Sequence, residues 1–332
     1  MAEGRLHPVL EPYDSGLLDV GDGHRVHWET VGDPDGTPAL WLHGGPGRGS
    51  APDSRGLFGS TYRAVLMDQR GSGRSVAPRD PAHPDDPALT DLSSNTTDHL
   101  VADVERLRRH LGIDRWVVAG GSWGVTLALV YAQRHPERVR ALVLSAVTSG
   151  DADEIAWLTR DVGRVWPREW QAFAALVPDA DLGDPCGVPA AYARLLADPD
   201  PVVRERAALA WCTWEDTHMS LAPRSQPDLQ AAPADFRLRF VRLVTHYWGN
   251  GCFLAPHQVL RGMDRLAGIP GVLIHGRSDV SSPLSTAWAL HQAWPGSELV
   301  VLEGTGHGGA PMTAAAVEVL DRLVEVGRPA CS

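Results

Sequence analysis

Gly120-Gly121-Ser122-Trp123-Gly124 sets a hydroxyl among glycines in the pattern G-x-S-x-G. A serine hydroxyl is a weak nucleophile until a base takes its proton, and that base needs a third group to hold its tautomer. Where the pattern joins a strand to a helix, the glycines permit a sharp turn in which larger side chains collide. The serine oxygen then lies at a helix N-terminus, which favours developing negative charge. An apolar run, Trp116–Ala119, precedes the pattern, and a helix-like stretch from Trp123 to about Arg134 follows it and stops before Pro136. Ser122 is therefore the candidate nucleophile toward a carbonyl carbon.

The base and its orienting carboxylate are expected downstream, in the order Asp or Glu then His, each after a late strand. Asp279 follows the strand-like run Gly271–His275, and His307 follows Glu298–Leu302 within Gly304-Thr305-Gly306-His307-Gly308. Both then stand at carboxyl ends of strands, the edge where open sheets bind ligands. The plainer alternative makes Asp279 a helix cap and His307 an ordinary loop histidine. An attacked carbonyl becomes an oxyanion and needs two backbone donors. One is the N–H of Trp123. The other is expected from His43-Gly44-Gly45-Pro46-Gly47, with Gly45 preferred and Gly44 as the neighbouring possibility. No lysine followed by Ser or Thr stands in the spacing that a phosphate cradle needs. Asp68-Gln69-Arg70-Gly71-Ser72-Gly73-Arg74-Ser75 reads as a turn braced by a charged pair, a scaffold rather than a substrate contact.

These residues need a sheet to hold them. Leu17–Val20 and His24–Thr30 flank Gly21-Asp22-Gly23, the signal of a hairpin. Short continuous apolar runs follow at Ala39–Leu42, Ala64–Met67, Trp116–Ala119 and Ala141–Leu144, which suits parallel strands buried on both faces. Leu100, Val101, Val104, Leu107 and Leu111 form one apolar helical stripe, with Glu105, Arg106, Arg108 and Arg109 on the other faces and Gly112 as the stop. From about residue 150 to 256 the alternation of strand and helix disappears, and tryptophans, alanines, arginines and prolines take over. The expectation is a core built from residues 1–149 and 257–332, with a helical cap inserted at 150–256 and a closing helix from about Thr313 to Val326.

The bulk properties set limits. A chain of 332 residues with 43% apolar and 21% charged content suits one large core with an inserted subdomain. A formal charge of −11 argues against nucleic-acid or anionic-membrane partners, which demand basic surface. Residues 1–16 show no basic stretch followed by an apolar one, and no apolar run approaches a membrane span. Cys186, Cys212, Cys252 and Cys331 are scattered like cytosolic free thiols, so the cytoplasm is the expected compartment.

HGGPG at 43–47, DQRGSGRS at 68–75, NTT at 95–97, HLVADVERLR at 99–108 and GGSWG at 120–124 together resemble the prolyl aminopeptidases, or proline iminopeptidases. The likeness continues through YAQRHPERV at 131–139, HGRSDV at 275–280 and GTGH at 304–307. It implies an α/β-hydrolase core with a helical cap, no cofactor, and release of an N-terminal proline from peptides. The triad maps onto Ser122, Asp279 and His307. A family carboxylate that binds the substrate's free amine falls on Glu215, in Trp211-Cys212-Thr213-Trp214-Glu215, whose alternative role is a salt-bridging cap residue. A second such carboxylate falls on Val244. Thr148 and Leu158 stand where aromatic walls of a proline ring are implied, so a wider, less aromatic pocket is expected.

The sequence therefore points to a serine hydrolase acting through an acyl-enzyme on small peptides, amides or esters. The alternative is an ester or amide hydrolase of non-prolyl small molecules, for instance in specialised metabolism. A non-catalytic binding protein on this fold would be expected to lack a triad or oxyanion element. Dehalogenase and epoxide-hydrolase relatives require aspartate at the position of Ser122.

Overall fold

The hairpin opens an eight-stranded sheet. β1 (Asp14–Gly21) and β2 (His24–Gly32) pair antiparallel, with Gly21 facing His24 across a two-residue turn. Asp22 and Gly23 both have positive φ, 55° and 75°, the mirror-image turn whose twist matches that of the paired strands. β2 lies antiparallel to β4 (Tyr62–Met67). From there the sheet is parallel through β3 (Thr37–Leu42), β5 (Trp116–Gly121), β6 (Val139–Ser145), β7 (Gly271–Gly276) and β8 (Ser297–Leu302). The strand order is β1-β2-β4-β3-β5-β6-β7-β8. The apolar runs expected as buried strands are strands, each extended by one or two residues at its ends. The computed structural model describes residues 6–86, 88–219, 221 and 229–327; Cys331 lies outside them.

Alternate residues of the parallel strands feed two apolar layers. Leu40, Leu42, Val118, Leu142 and Leu144 pack with Leu100 and Val104 of α1 (Thr97–His110), Leu127 of α2 (Trp123–Arg134) and Leu290 of α9 (Leu284–Ala293). Ala39, Leu66, Val117 and Val143 pack on the other face with Met312 and Leu320 of α10 (Ala310–Gly327). Each fully buried large side chain contributes roughly 1.5–3 kcal/mol by leaving water. Glu105 and Arg108 on α1 are buried despite their charge. Arg108 grips the Glu105 carboxylate with two bonds of 2.7 and 2.8 Å, and the Tyr131 hydroxyl adds a third at 3.2 Å. Because these polar atoms are paired, this flank of α1 packs against α2 rather than facing water.

Between β6 and β7 run α3 (Ala152–Thr159), α4 (Pro167–Ala174), α5 (Gly187–Leu195), α6 (Pro201–His218), α7 (Ala234–Gly249) and the short α8 (Gln258–Arg261). Tyr192, Trp211, Trp214, Phe240 and Val244 share an apolar cluster separate from the two that sandwich the sheet. Arg204 on α6 reaches Asp86 at 2.6 Å, and Arg242 on α7 reaches Asp80 at 3.4 Å, so these helices are tied to the 80–91 loop of the core. Among the described residues no helix is long and apolar enough to cross a membrane.

Candidate active site

Ser122 turns the chain between β5 and α2 with φ 56° and ψ −124°, a conformation an L-residue adopts only when its surroundings impose it. Three contacts impose it here. Its N–H donates to Ser145 O at 2.9 Å, and its carbonyl accepts from Val125 N–H at 2.7 Å and from the Thr148 hydroxyl at 2.9 Å. The flanking glycines are required by space. A Cβ on Gly124 would stand 2.0 Å from Leu42 O, and one on Gly120 would stand 2.5 Å from Gly124 O. α2 therefore lies against β3 at a distance no larger residue permits.

His307 Nε2 lies 2.9 Å from Ser122 Oγ, and His307 Nδ1 lies 2.8 Å from Asp279 Oδ2. Asp279 Oδ1 accepts the Ser282 N–H at 2.9 Å, which fixes the carboxylate. Burial disfavours charge on His307, but the Asp279 carboxylate, helped by Glu215, outweighs it and holds the imidazole above its ordinary pKa. A second imidazole, His275, stands 3.7 Å from the same Asp279 oxygen. Its Nδ1 accepts the Val147 N–H at 3.0 Å and its Nε2 donates to Ser282 O at 2.7 Å. Those bonds specify a neutral ring, and burial lowers its pKa in agreement.

The glycine loop after β3 touches the Ser122 turn. A Cβ on Gly44 would stand 3.0 Å from Gly121 O and 3.2 Å from Ser122 Cβ, so the backbone there passes directly beside the serine. Gln69 anchors the loop. Its backbone N–H donates to His43 Nε2 at 3.0 Å, and its side-chain amide donates to His43 O at 2.8 Å. The same amide's oxygen accepts the Trp123 indole N–H at 2.9 Å. The rest of the 68–75 segment is scaffold. Asp68 accepts from Arg74 N and Nε, both at 2.9 Å, and from Ser50 N at 2.7 Å, while Arg70 clamps Asp103 with bonds of 2.6 and 2.9 Å.

Two cavities meet at Ser122. A small one of about 60 Å³ is lined by Thr148, Glu154, Leu158, Glu215, His218 and Trp248. A larger cleft of about 360 Å³ opens on the other side, past Trp41, Gly44, Arg48, Leu57 and Met312. Gly45, Glu215, Met219 and His307 border both. Glu215 accepts the Trp211 indole N–H at 3.0 Å. Burial pushes its carboxyl up to about 7, against the pull of Arg48, the Trp211 bond and His307. His218 is held neutral, its pKa lowered to about 3 by burial, with its Nδ1 2.9 Å from Ser281 Oγ.

Of the residues expected at the site, Ser122, Asp279, His307, Gly44, Gly45, Trp123, Thr148, Leu158 and Glu215 come together around these cavities or the row of hydrogen bonds feeding them. Val244 does not. It is fully buried in the apolar cluster that also holds Trp211 and Trp214, and it lines neither cavity. Trp248 of α7 also lines the small cavity, an aromatic side chain that was not among the expected site residues. Trp248 directly follows His246-Tyr247, so the sequence carried a signal for it. Gln69 lay in the 68–75 motif, which reads as scaffold from sequence alone, whereas Glu154 and His218 carried no signal that separates them from other polar residues.

Residues 38–310 match the family described as the alpha/beta hydrolase fold. The chain is 51% identical over 308 residues to a probable proline iminopeptidase of Streptomyces coelicolor, covering 91% of this chain and 92% of that protein. It is 41% identical over 305 residues to a proline iminopeptidase of Xylella fastidiosa, covering 91% and 93%. The solved proline iminopeptidase of Mycobacterium smegmatis superposes with a TM-score of 0.56 at 18% identity, covering 95% of this chain and 100% of that one, a likeness of fold.

Proposed function

The chain belongs to the proline iminopeptidase family of α/β hydrolases, and from that premise we propose that it releases an N-terminal, proline-type residue from peptides or amides through an acyl-enzyme. Ser122 Oγ attacks the carbonyl carbon while His307 Nε2 takes its proton. Asp279 keeps the other ring nitrogen protonated and stabilises the imidazolium that forms. The N–H groups of Trp123 and Gly45 receive the oxyanion. As the intermediate collapses, His307 returns the proton to the departing amine. Water then attacks the ester, again deprotonated by His307, and frees the amino acid and Ser122.

The observation that supports this best is the pairing of the Ser122–His307–Asp279 row with a cavity of about 60 Å³ bordered by the Glu215 carboxylate. A space that small accepts one compact side chain or ring, and a carboxylate on its wall favours an acyl group bearing a cation. The larger cleft would take the leaving peptide. The free thiols Cys186, Cys212 and Cys252 support a reducing, cytoplasmic setting.

A second reading, hydrolysis of a non-prolyl ester or amide, draws on Val244, which offers no charge where the family resemblance implies a carboxylate. Assaying a prolyl arylamide beside acetyl and longer acyl esters decides between them. Strong prolyl turnover with weak long-chain turnover is expected; negligible prolyl turnover with strong ester turnover would overturn the peptidase reading.

A further inference from the structure

A further cavity, of about 360 Å³, lies at the end of α2 opposite Ser122 and is within the size range of small-molecule sites. Its lining is basic. Arg134 comes from the last turn of α2, Arg261 from α8, and Arg265 from the 3-10 turn Met263–Leu266 that follows. No carboxylate of the described residues lines it. Arg134 is already paired, with the exposed Asp98. Arg261 and Arg265 are exposed, and among the described residues nothing makes a hydrogen bond or ion pair with either side chain. α2 has 12 residues, about 18 Å at the rise of an α-helix, so the cavity is remote from the triad.

A buried amide, Gln133, also lines this cavity; the residue is 6% exposed. Its Nε2 donates to Val259 O at 2.7 Å, which ties α8 to α2 and fixes which end of the amide is oxygen. Its Oε1 accepts no hydrogen bond from a described residue. A Cβ on Gly262 would stand 2.5 Å from that oxygen, so the backbone between Arg261 and Met263 passes close against the amide. One cavity thus carries two unmatched guanidinium groups and an unmatched acceptor, in a chain whose formal charge is −11. Guanidinium forks match oxyanions two bonds at a time. A phosphate ester brings about −1.5 to −2 charges and three acceptor oxygens, whereas one carboxylate would leave a guanidinium unmatched. We propose that this cavity binds a small organic phosphate. Arg261 and Arg265 hold the phosphate, and a hydroxyl or N–H of the same molecule donates to Gln133 Oε1. The site is independent of what Ser122 hydrolyses.

Calorimetric titration of the full chain with ribose 5-phosphate, which carries both a phosphate and hydroxyl donors, tests the site against inorganic phosphate, ribose and citrate. Ribose 5-phosphate is expected to bind once per chain, inorganic phosphate about tenfold more weakly, and ribose not at all. The double variant Arg261→Gln, Arg265→Gln should weaken ribose 5-phosphate by about ten- to hundredfold. Arg140→Gln, which removes an exposed arginine of β6 outside the cavity, should leave affinity within about twofold of the parent. Lysine at both 261 and 265 keeps the charge without the fork and should fall between the parent and the glutamine variant. Blocking Ser122 with a fluorophosphonate should leave the titration unchanged, because the cavity lies at the other end of α2.

Absence of binding by ribose 5-phosphate would overturn the proposal. So would an equal loss in Arg140→Gln, which would report general attraction to a cationic surface rather than a site. Citrate binding more tightly than ribose 5-phosphate would replace the phosphate with a polycarboxylate and overturn the ligand class. Loss of binding on fluorophosphonate treatment would move the ligand to the Ser122 cavities and overturn the site.

Discussion

The side-chain amide of Gln69 links the two halves of the proposed oxyanion site. Its oxygen accepts the Trp123 indole N–H at 2.9 Å, and its nitrogen donates to the carbonyl of His43 at 2.8 Å, at the start of the loop that leads to Gly45. Trp123 follows the nucleophile in the chain, and Gly45 lies on a different strand's loop. Without a tie between them, the separation of the two N–H donors would depend only on the sheet.

Gln69→Leu keeps the volume and removes the tie. It strands the Trp123 indole N–H and the His43 carbonyl inside the protein, at a cost to stability of about 1–3 kcal/mol. With one oxyanion donor displaced, kcat should fall by about ten- to hundredfold while KM changes little. Steady-state kinetics on one ester substrate, with thermal unfolding alongside, tests both parts. A folded variant with the parent kcat would detach this amide from the chemistry.

Ser122→Ala should reduce turnover by about 10⁴-fold or more, because the rest of the machinery cannot act without the nucleophile. The alanine variant should remain folded, since the bonds to Ser145, Val125 and Thr148 use backbone atoms of residue 122. A fluorophosphonate probe should label the parent protein and leave the variant unlabelled. Persistent labelling would place the reactive group elsewhere.

The pH dependence should differ between substrates with and without an amine. His307 works as a base only when neutral, and Asp279 holds its pKa above the ordinary value, so activity is lost as pH falls through that raised value. Glu215 attracts an ammonium only when ionised, and its carboxyl is pushed up to about 7, so this attraction is also lost on the acid side. For a prolyl ester the acid limb of kcat/KM should approach a slope of about two, whereas a cyclopentanecarbonyl ester should give about one. Because the two groups influence each other, the apparent values belong to the pair. Glu215→Gln should return the prolyl profile to a single-proton limb; an unchanged slope would remove Glu215 from amine binding.

The parts of this site that chain order sets were readable from the residues. G-x-S-x-G and Asp279 each follow an apolar run that is a buried strand, His307 follows the half-buried edge strand β8, and local pattern is enough to find them. What escaped depends on contacts between elements distant in sequence. Gln69 reaches Trp123 across 54 positions, and Glu154 and Glu215 line one cavity from α3 and α6. The helix α9 was unreadable for a different reason. Trp288 is 55% exposed while Ala287 and Leu290 are buried, so hydrophobicity does not mark the inner face. Val244 shows the limit of resemblance: its position in the motif suggested the pocket, but its side chain is buried in the apolar cluster of α6 and α7.

Trp248 sets the last test. It lines the small cavity from α7, and its ring stands 5.8 Å from that of Trp211, the residue whose indole holds Glu215. Trp248→Ala should open the cavity and leave Ser122, His307 and Asp279 in place. Lost contact with a bound ring should lower kcat/KM for the prolyl ester by about ten- to two-hundredfold, the range expected for a few missing apolar groups. The freed space should favour longer acyl chains, so butyryl and hexanoyl esters should gain relative to acetyl. Measuring ester turnover against acyl chain length in both proteins checks this. A profile that does not move would mean that the acyl group binds elsewhere, in the larger cleft lined by Trp41 and Met312.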